Sequence, residues 1–395
     1  MYILTVALLA YNFIPGASSD LTRYFELLDY YSTMSIREAI EATSNGLYVM
    51  TFLMWAISKT GCYGLMPMMT ASAVYGVGAY ITCDFAEQKG QCKMIPMLLL
   101  IQFFFLPLTN IFNNVRNVFA FALIILAVYR DIIKQKRNLL TIILYIAPIF
   151  MHTSAIVLVI LRFIAPFVKQ LKELFLLGVF FVSSLISYAI NHISLVSWSR
   201  ILTNAILKSE RYSSDAYMET AWGAKVAGSL YFRLCYLMTM FFAVLIIILY
   251  FRILRSSELS EIRTDKNIQI TGAEHPRGTI LQGTIKALQA HETVFINYGF
   301  LIAITVLGCS VFNAPLYWRF AVALTLLLGA MLVVVMERYG DMEIILYRLL
   351  VGVAVISLFL WLWRIPWRST LKEWMIRFLL NNPYRIIYEI IRNLI

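Results

Sequence analysis

A series of apolar segments, most of them near the length of a bilayer span, constrains this chain more than any other feature. A spanning α-helix needs about 20 apolar residues, and in lipid every backbone polar group must be paired internally. The sequence therefore predicts an all-α, polytopic integral membrane protein with about 10–12 hydrophobic segments, some of them short or re-entrant. These segments lie at about 1–15, 44–58, 62–83, 94–112, 115–130, 139–153, 154–168, 174–191, 227–251, 293–311, 315–336 and 345–363.

The composition supports this prediction and excludes most soluble classes. Apolar residues make up 61% of the 395 residues and charged residues only 14%. Soluble domains are nearer one half apolar and one quarter charged. We expect one polytopic membrane domain over 1–364 and a basic amphipathic C-terminal tail over 365–395. The net charge of +11 does not indicate nucleic-acid binding, because no soluble basic domain is present and loop Lys and Arg set membrane topology.

Three basic stretches orient the segments. By the positive-inside rule, all three are expected in the cytoplasm. They are the cluster Arg130, Lys134, Lys136 and Arg137, the pair Lys169 and Lys172, and the stretch 252–286.

The stretch 139–168 therefore begins and ends on the cytoplasmic side. Two short helices with a turn near His152 satisfy this constraint, and Pro148 stands where the break could start. Helices of about 15 residues span only about 22 Å, which is less than the roughly 30 Å hydrocarbon core. The turn is therefore expected at membrane depth, where irregular backbone lines a cavity.

Counting membrane crossings from these basic stretches places three arginines at the depth of His152, near the outer face: Arg116, Arg233 and Arg319. Two features do not fit it. One early segment must fail to cross, and we expect 94–112, with Pro96 and Pro107, to be re-entrant; 44–58 is the alternative. The positive-inside rule places the arginines of the tail in the cytoplasm, although the number of membrane crossings places them on the external side. Their spacing is typical of a helix lying in the membrane interface.

Arginines at one depth favour an anionic ligand, because guanidinium groups bind phosphate oxygens through two hydrogen bonds. Arginines near helix ends can instead extend to the lipid headgroups. His152 is a candidate base or phosphate-binding group, although a lone histidine is commonly a structural hydrogen-bonding residue.

Two polar stretches are candidates for a sugar site. Asp20, Arg23 and Tyr24 follow the first apolar segment, where Asp20 could act as a base or merely cap a helix. Arg211 and Tyr212 lie in the stretch RYSSDAY of a predicted external loop. Tyrosines with a carboxylate suit carbohydrate, although an ordinary polar loop explains the pattern equally well.

The sequence lacks the common motifs of nucleotide, zinc and serine-hydrolase chemistry. It contains no GxxxxGK[ST], HExxH, GxSxG or CxxC motif. We therefore expect no metal and no cofactor.

The region from Arg116 to Ser154 resembles the EpsG family of Wzy-like exopolysaccharide polymerases. The shared pattern is an arginine that opens a helix, a short basic loop (130–137), and an alanine-containing helix that ends in His152 and Ser154. Asp20, Arg23, Tyr24 and the helix-opening Arg319 also fit. Asn117 departs from the pattern, which has glutamine there.

The resemblance implies a GT-C-like helical fold in the bacterial plasma (inner) membrane. It implies metal-independent polymerisation, on the outer face, of oligosaccharide repeat units linked to undecaprenyl diphosphate. The product would be a capsule, exopolysaccharide or O-antigen. We expect Arg116 and Arg319 to bind the diphosphate, and His152 and Asp20 to serve in acid–base chemistry or acceptor positioning. Expected partners are the polyprenyl-linked oligosaccharide, membrane lipid, and flippase and chain-length regulator proteins.

Two rival functions remain open at this point. A flippase for the same lipid-linked oligosaccharides would also need an arginine-lined cavity, but alternating access favours a site near the midplane. A membrane acyltransferase acting on surface sugars would also use a histidine.

Overall fold

In the computed structural model of the chain, residues 2–16, 19–43, 46–106, 108–170, 291–308, 314–338 and 383–394 are described, with a few isolated positions between 244 and 381. All regular elements in these ranges are helices, so the all-α class is confirmed for them.

Thirteen α-helices organise the described ranges. In chain order they are α1 Tyr2–Tyr11, α2 Asp20–Ser32, α3 Ile36–Glu41, α4 Tyr48–Thr60, α5 Leu65–Gln88, α6 Ile95–Phe105, α7 Leu108–Asn113, α8 Val115–Ile132, α9 Leu139–Ile146, α10 Ala155–Ile164, α11 His291–Gly308, α12 Ala314–Arg338 and α13 Pro383–Leu394. Short 3-10 turns occur at Cys92–Met94, Ala147–Phe150 and Ala165–Gln170.

The long helices α5 and α8 define two ends of the bundle. At the α2 end, Arg116 at the start of α8 contacts Tyr24 of α2. At the other end, which we call the Asp131 end, the Tyr129 hydroxyl near the end of α8 donates to Asp84 of α5 at 2.5 Å. The Lys134 ammonium also lies 2.6 Å from Asp84. The two helices therefore run together from one end to the other.

Small residues and buried amides allow the central helices to pack closely. A Cβ atom at Gly329 of α12 would lie 2.1 Å from the Thr82 hydroxyl of α5, so no larger residue fits this crossing. The buried Gln102 amide of α6 donates to the backbone carbonyls of Thr325 and Leu326 in α12. Close approach at small residues and interhelical polar contacts are both typical of helix packing in membranes.

The predicted returning hairpin over 139–168 is confirmed. α9 leads from the Asp131 end to a turn at Met151–Ser154, and α10 leads back. The Arg162 guanidinium of α10 contacts Asp131 at 2.6 Å. Just beyond α10, the Ala165 carbonyl accepts from the Asn297 amide. His152 is thereby held at the turn, away from the basic cluster.

The segment 94–112, predicted to be re-entrant, runs from the Asp131 end of the bundle towards the α2 end. Leu106 breaks the segment into α6 and α7, and the buried Tyr75 hydroxyl donates to its carbonyl. Past this break the chain continues to the α2 end, where Phe112 packs edge-to-face on Phe13 with ring centroids 5.2 Å apart. The alternative segment, 44–58, lies between two elements of the α2 end. α4 follows α2, and Gly64 after it lies against the Tyr11 backbone, at the same end.

One described helix, α11, is long and apolar enough by length and composition to cross a membrane, and five shorter apolar helices accompany it. The hairpin α9–α10 turns large apolar side chains away from the protein. Examples are Leu139 (72% exposed), Phe163 (69%) and Phe167 (55%). An outward apolar surface of this kind is unusual in soluble monomers.

The C-terminal helix α13 lies at the α2 end. The Asn393 amide donates to the Thr60 carbonyl at 2.8 Å, and the Asn381 amide donates to the Asn12 side chain at 2.6 Å. α13 therefore lies apart from the cluster 130–137, whereas the positive-inside expectation placed the tail on the side of that cluster. Tertiary contacts with α1 and α4 override the charge signal.

Candidate functional site

Arg116 is the central cation at the α2 end. It is the second residue of α8, so its side chain starts beside the positive end of the helix dipole. Its Nε donates to the Tyr24 hydroxyl at 2.8 Å, and its guanidinium carbon lies 5.0 Å from the Tyr24 ring centroid. Among the described residues it forms no ion pair with a carboxylate.

Tyr24 brings four of the predicted site residues into one electrostatic environment. Burial raises the pKa of the Tyr24 hydroxyl, and the charge and hydrogen bond of Arg116 oppose this rise. Asp20 adds a smaller increase to this pKa and Arg319 a smaller decrease. Asp20, Arg116 and Arg319 therefore all lie within electrostatic range of the Tyr24 hydroxyl.

Asp20 does not cap α2. Ser19 is the N-cap, and its hydroxyl accepts from the Thr22 N–H at 3.2 Å. Asp20 follows as the first helical residue, and one of its oxygens lies 3.4 Å from Arg23 Nη1. The capping alternative for Asp20 is therefore wrong. Its side chain is 55% exposed, and the carboxylate is accessible to a ligand at the α2 end.

His152 is buried (8% exposed) at the hairpin turn. Its Nδ1 lies 2.6 Å from the Ser154 hydroxyl and accepts from the Ser154 backbone N–H at 3.3 Å. An amide N–H can only donate, so Nδ1 carries the lone pair and the neutral ring holds its proton on Nε2. In this arrangement the Nδ1 lone pair of His152 points at Ser154, and the ring carries a hydrogen-bond donor at Nε2.

Phe121 links His152 to the helix that carries Arg319. Its ring lies edge-on to the His152 imidazole, with centroids 6.5 Å apart. The same ring stacks on Phe320, which follows Arg319, at 5.4 Å. Since Phe121 lies little more than one turn from Arg116 on α8, all three predicted groups surround one stretch of this helix. No sequence feature singles out Phe121, because it lies among many apolar residues.

The first turn of α8 is poorly capped. Asn114 is the N-cap, but its side chain forms no capping hydrogen bond and donates instead to the Asn110 carbonyl. One turn on, the Asn117 side chain is buried (4% exposed), and its Oδ1 has no hydrogen-bond partner in the part of the chain that is described. The spacing of Asn110, Asn114 and Asn117, at helical intervals beside an arginine, is a sequence signal that our prediction missed.

Three predicted substrate-binding residues, Arg211, Tyr212 and Arg233, lie outside the described residues. Arg23 is described and is 73% exposed, paired with Asp20. It therefore lies at the rim of the site rather than inside it.

The arrangement is suited to binding an anion. A cation at the positive end of a helix is unfavourable by itself, by about 0.3–1 kcal/mol, and an anion there is favourable by a similar amount. Poorly capped N–H groups of a helix N-terminus and an adjacent guanidinium are together a common phosphate-binding combination. Tyr24 orients Arg116 without neutralising it.

Comparison of the chain with protein-family models, with curated proteins and with solved structures finds no match. The described residues contain no group of three or more His, Cys, Asp or Glu side chains placed to hold a metal ion.

Proposed function

We propose that this chain is a multi-pass membrane protein that polymerises lipid-linked oligosaccharide repeat units at its α2 end. The membrane part of the proposal is supported by the exposed apolar surface of α9–α10 and the tight crossing at Gly329. It is also supported by the apolar helix α11. In water the exposed side chains would be costly, whereas lipid accommodates them.

The polymerase part depends above all on Arg116. Its guanidinium stands at the start of α8, held by a phenol instead of a carboxylate, with Arg319 and a donor-tautomer His152 nearby. This is the arrangement expected for a diphosphate leaving group, which departs as a stable anion and needs mainly charge stabilisation. The Asp131 end, where the basic cluster 130–137 lies, would then face the cytoplasm.

The groups of the site suggest a division of roles. An acceptor sugar hydroxyl attacks the anomeric carbon of the donor, and the bond between that carbon and the diphosphate oxygen breaks. Arg116 and Arg319 stabilise the departing diphosphate. Asp20 takes the hydroxyl proton, because its carboxylate is accessible at the α2 end. His152 donates from Nε2 to a phosphate or sugar oxygen instead of acting as a base.

Replacement of Arg116 tests the proposal. In a strain that lacks the gene, Arg116→Ala should reduce chain elongation by about 10²–10³-fold, which is typical when one stabilising donor is removed. Arg116→Lys should recover only part of it, because lysine keeps the charge but loses the paired hydrogen bonds. The control is Arg37→Ala on α3, where an arginine 86% exposed pairs with Glu41.

The readout is the chain-length distribution of surface polysaccharide on a gel, with membrane abundance of each variant measured in parallel. Single repeat units outside the cell with Arg116→Ala, and normal chains with Arg37→Ala, support the polymerase. Normal chains with Arg116→Ala refute the site. Units retained inside the cell would indicate a flippase, and loss of acetyl groups at unchanged length would indicate an acyltransferase.

A further inference from the structure

The helix α13 has one face docked on the protein. Ile386 is buried (3% exposed), and Asn393 bonds to the Thr60 carbonyl. Gly61, which ends α4 with a positive φ of 64°, allows this close contact between α13 and the end of α4. A Cβ atom at Gly61 would lie 2.9 Å from the Asn393 amide. The docked orientation of α13 is therefore fixed by specific contacts at the α2 end.

The opposite face of α13 is apolar and uncovered. Its large side chains recur at intervals of three and four residues, which places them on one stripe. Their exposed fractions are 84% for Tyr384, 54% for Ile387, 65% for Tyr388 and 51% for Ile391. α13 therefore buries Ile386 on its docked face and carries a second apolar stripe on its exposed face, which is not expected for a water-facing surface helix.

We propose that this stripe, Tyr384, Ile387, Tyr388 and Ile391, lies in the headgroup and upper acyl region of the membrane leaflet at the α2 end. Tyrosines are enriched at that depth, where the ring is apolar and the hydroxyl is solvated. Arg385 and Arg392 outnumber Glu389 on α13, and this excess of positive charge complements anionic headgroups. The proposal rests on the membrane placement proposed above.

A second copy of the chain is less suited than lipid to cover the stripe. A stable protein interface buries roughly 800 Å² on each partner. Four side chains over two helical turns are too few to supply such an area alone. A lipid surface requires no matching partner shape, and an interfacial helix of this length and composition is sufficient for it.

The proposal places α13 in the same leaflet as the candidate site, because both lie at the α2 end. The basic residues of the tail would by themselves predict the cytoplasmic leaflet. Leaflet and depth are therefore two separate and testable statements about α13.

Depth is tested by fluorescence quenching of the full chain in lipid nanodiscs that contain phosphatidylglycerol. The native cysteines are replaced, and a small fluorophore is attached at Ile387→Cys on the stripe. The matched control is Arg385→Cys, two residues away on the flank of α13. Nitroxide-labelled lipid should quench the Ile387 probe several-fold more than the Arg385 probe, and aqueous iodide should show the reverse order.

Equal iodide quenching at both positions would overturn the proposal, because the stripe would then face water. Protection of the Ile387 probe from both quenchers would also overturn it, because another protein would then cover the stripe. For the leaflet, Glu389→Cys in intact cells should react with an impermeant maleimide. Reaction only after the membrane is opened would refute the assignment.

These outcomes are distinct from failure of the proposed function. Recovery of the parent protein in the soluble fraction would refute the membrane placement itself. A membrane-bound parent with a water-exposed Ile387 probe would refute only the inference about α13. Normal chains with Arg116→Ala would refute the polymerase site and would bear on neither of these two statements.

Discussion

The charge cluster around Asp131 should be the most sensitive point of the hairpin that carries His152. The Asp131 side chain is 12% exposed and lies 2.6 Å from Arg162 Nη2, whose side chain is 13% exposed. Arg137 Nε donates to its other oxygen at 2.8 Å, and the Tyr145 hydroxyl donates at 3.3 Å. Asp131→Asn keeps the shape and removes the charge, so that the Arg162 cation remains with no full counter-charge.

Breaking a buried ion pair by removal of one partner costs about 3–5 kcal/mol. We expect about 3 kcal/mol for Asp131→Asn, the lower end of that range, because asparagine still accepts one hydrogen bond. This is a change of about 100-fold in the equilibrium between folded and unfolded protein. The control Arg137→Gln should cost under about 1 kcal/mol, since that arginine is 66% exposed and water can replace it.

Unfolding of the purified variants in detergent micelles, followed by heat or denaturant, measures the difference. The double variant Asp131→Leu with Arg162→Met should recover most of the loss, because a buried pair can often be replaced by apolar residues without cost. A parent-like stability for Asp131→Asn would refute the reasoning. So would a double variant no better than the single one, because the loss would then not come from an unpaired charge.

Three further predictions follow from the described contacts. Tyr24→Phe removes the hydroxyl that accepts a hydrogen bond from Arg116, and such a bond contributes about 1.5–3 kcal/mol. Chain elongation on the polysaccharide gel should therefore fall about tenfold or more. The control Tyr30→Phe, on the exposed side of α2, should leave chain elongation unchanged. Gly329→Ala forces a Cβ atom against Thr82 and should destabilise the fold in a thermal unfolding assay by about 1–3 kcal/mol. The control Gly352→Ala should not destabilise it, because a Cβ atom at Gly352 would have no other atom within 4 Å. Burial and a hydrogen bond to Asp29 raise the pKa of Tyr63 to about 12. The protonated Tyr63 hydroxyl therefore stabilises the fold fully below the unfolded pKa of 10, and this stabilisation is lost as pH rises towards 12. Tyr63→Phe should abolish this loss of stability in unfolding experiments, and a pH profile identical to that of the parent would contradict the assignment.

The returning hairpin was predictable because it follows from two constraints of different kinds. The basic residues at both ends of 139–168 fix the side on which the stretch begins and ends. The length of the stretch then requires a turn near His152. Charge and length are properties of the sequence alone, so no tertiary contact was needed. The same logic predicted that Arg116, Arg233 and Arg319 lie at one depth, and Arg233 lies outside the described residues.

The structure differs from these predictions where packing overrides a local signal. Prolines at 96 and 107 indicated a re-entrant segment, but Pro96 lies at the start of α6, where a missing N–H costs nothing. The arginines of the tail indicated the cytoplasmic side, but Asn381 and Asn393 secure the C-terminal region at the α2 end. Single asparagines carry no sequence signal strong enough to predict such a contact.

The tautomer of His152 was also unpredictable from the sequence. It depends on the backbone N–H of Ser154, which approaches Nδ1 only because the turn at Met151–Ser154 bends the chain back. A histidine at a helix end is equally compatible with a base, a donor or a metal ligand. Only the geometry of the turn favours the donor.

Arg116 at the α2 end and three cations at the Asp131 end have partners of different kinds. This difference is the strongest argument for where a ligand binds. At the Asp131 end, three cations are paired with carboxylates of the protein: Lys134 with Asp84, Arg162 with Asp131, and Lys89 with Glu292 at 2.6 Å. At the α2 end, Arg116 is held by the neutral Tyr24. A carboxylate in place of Tyr24 would stabilise the empty protein more, yet it would neutralise the cation that an anionic ligand needs. Arg116, held at the start of α8 by a phenol instead of a carboxylate, therefore retains the positive charge expected for binding an anion at the α2 end.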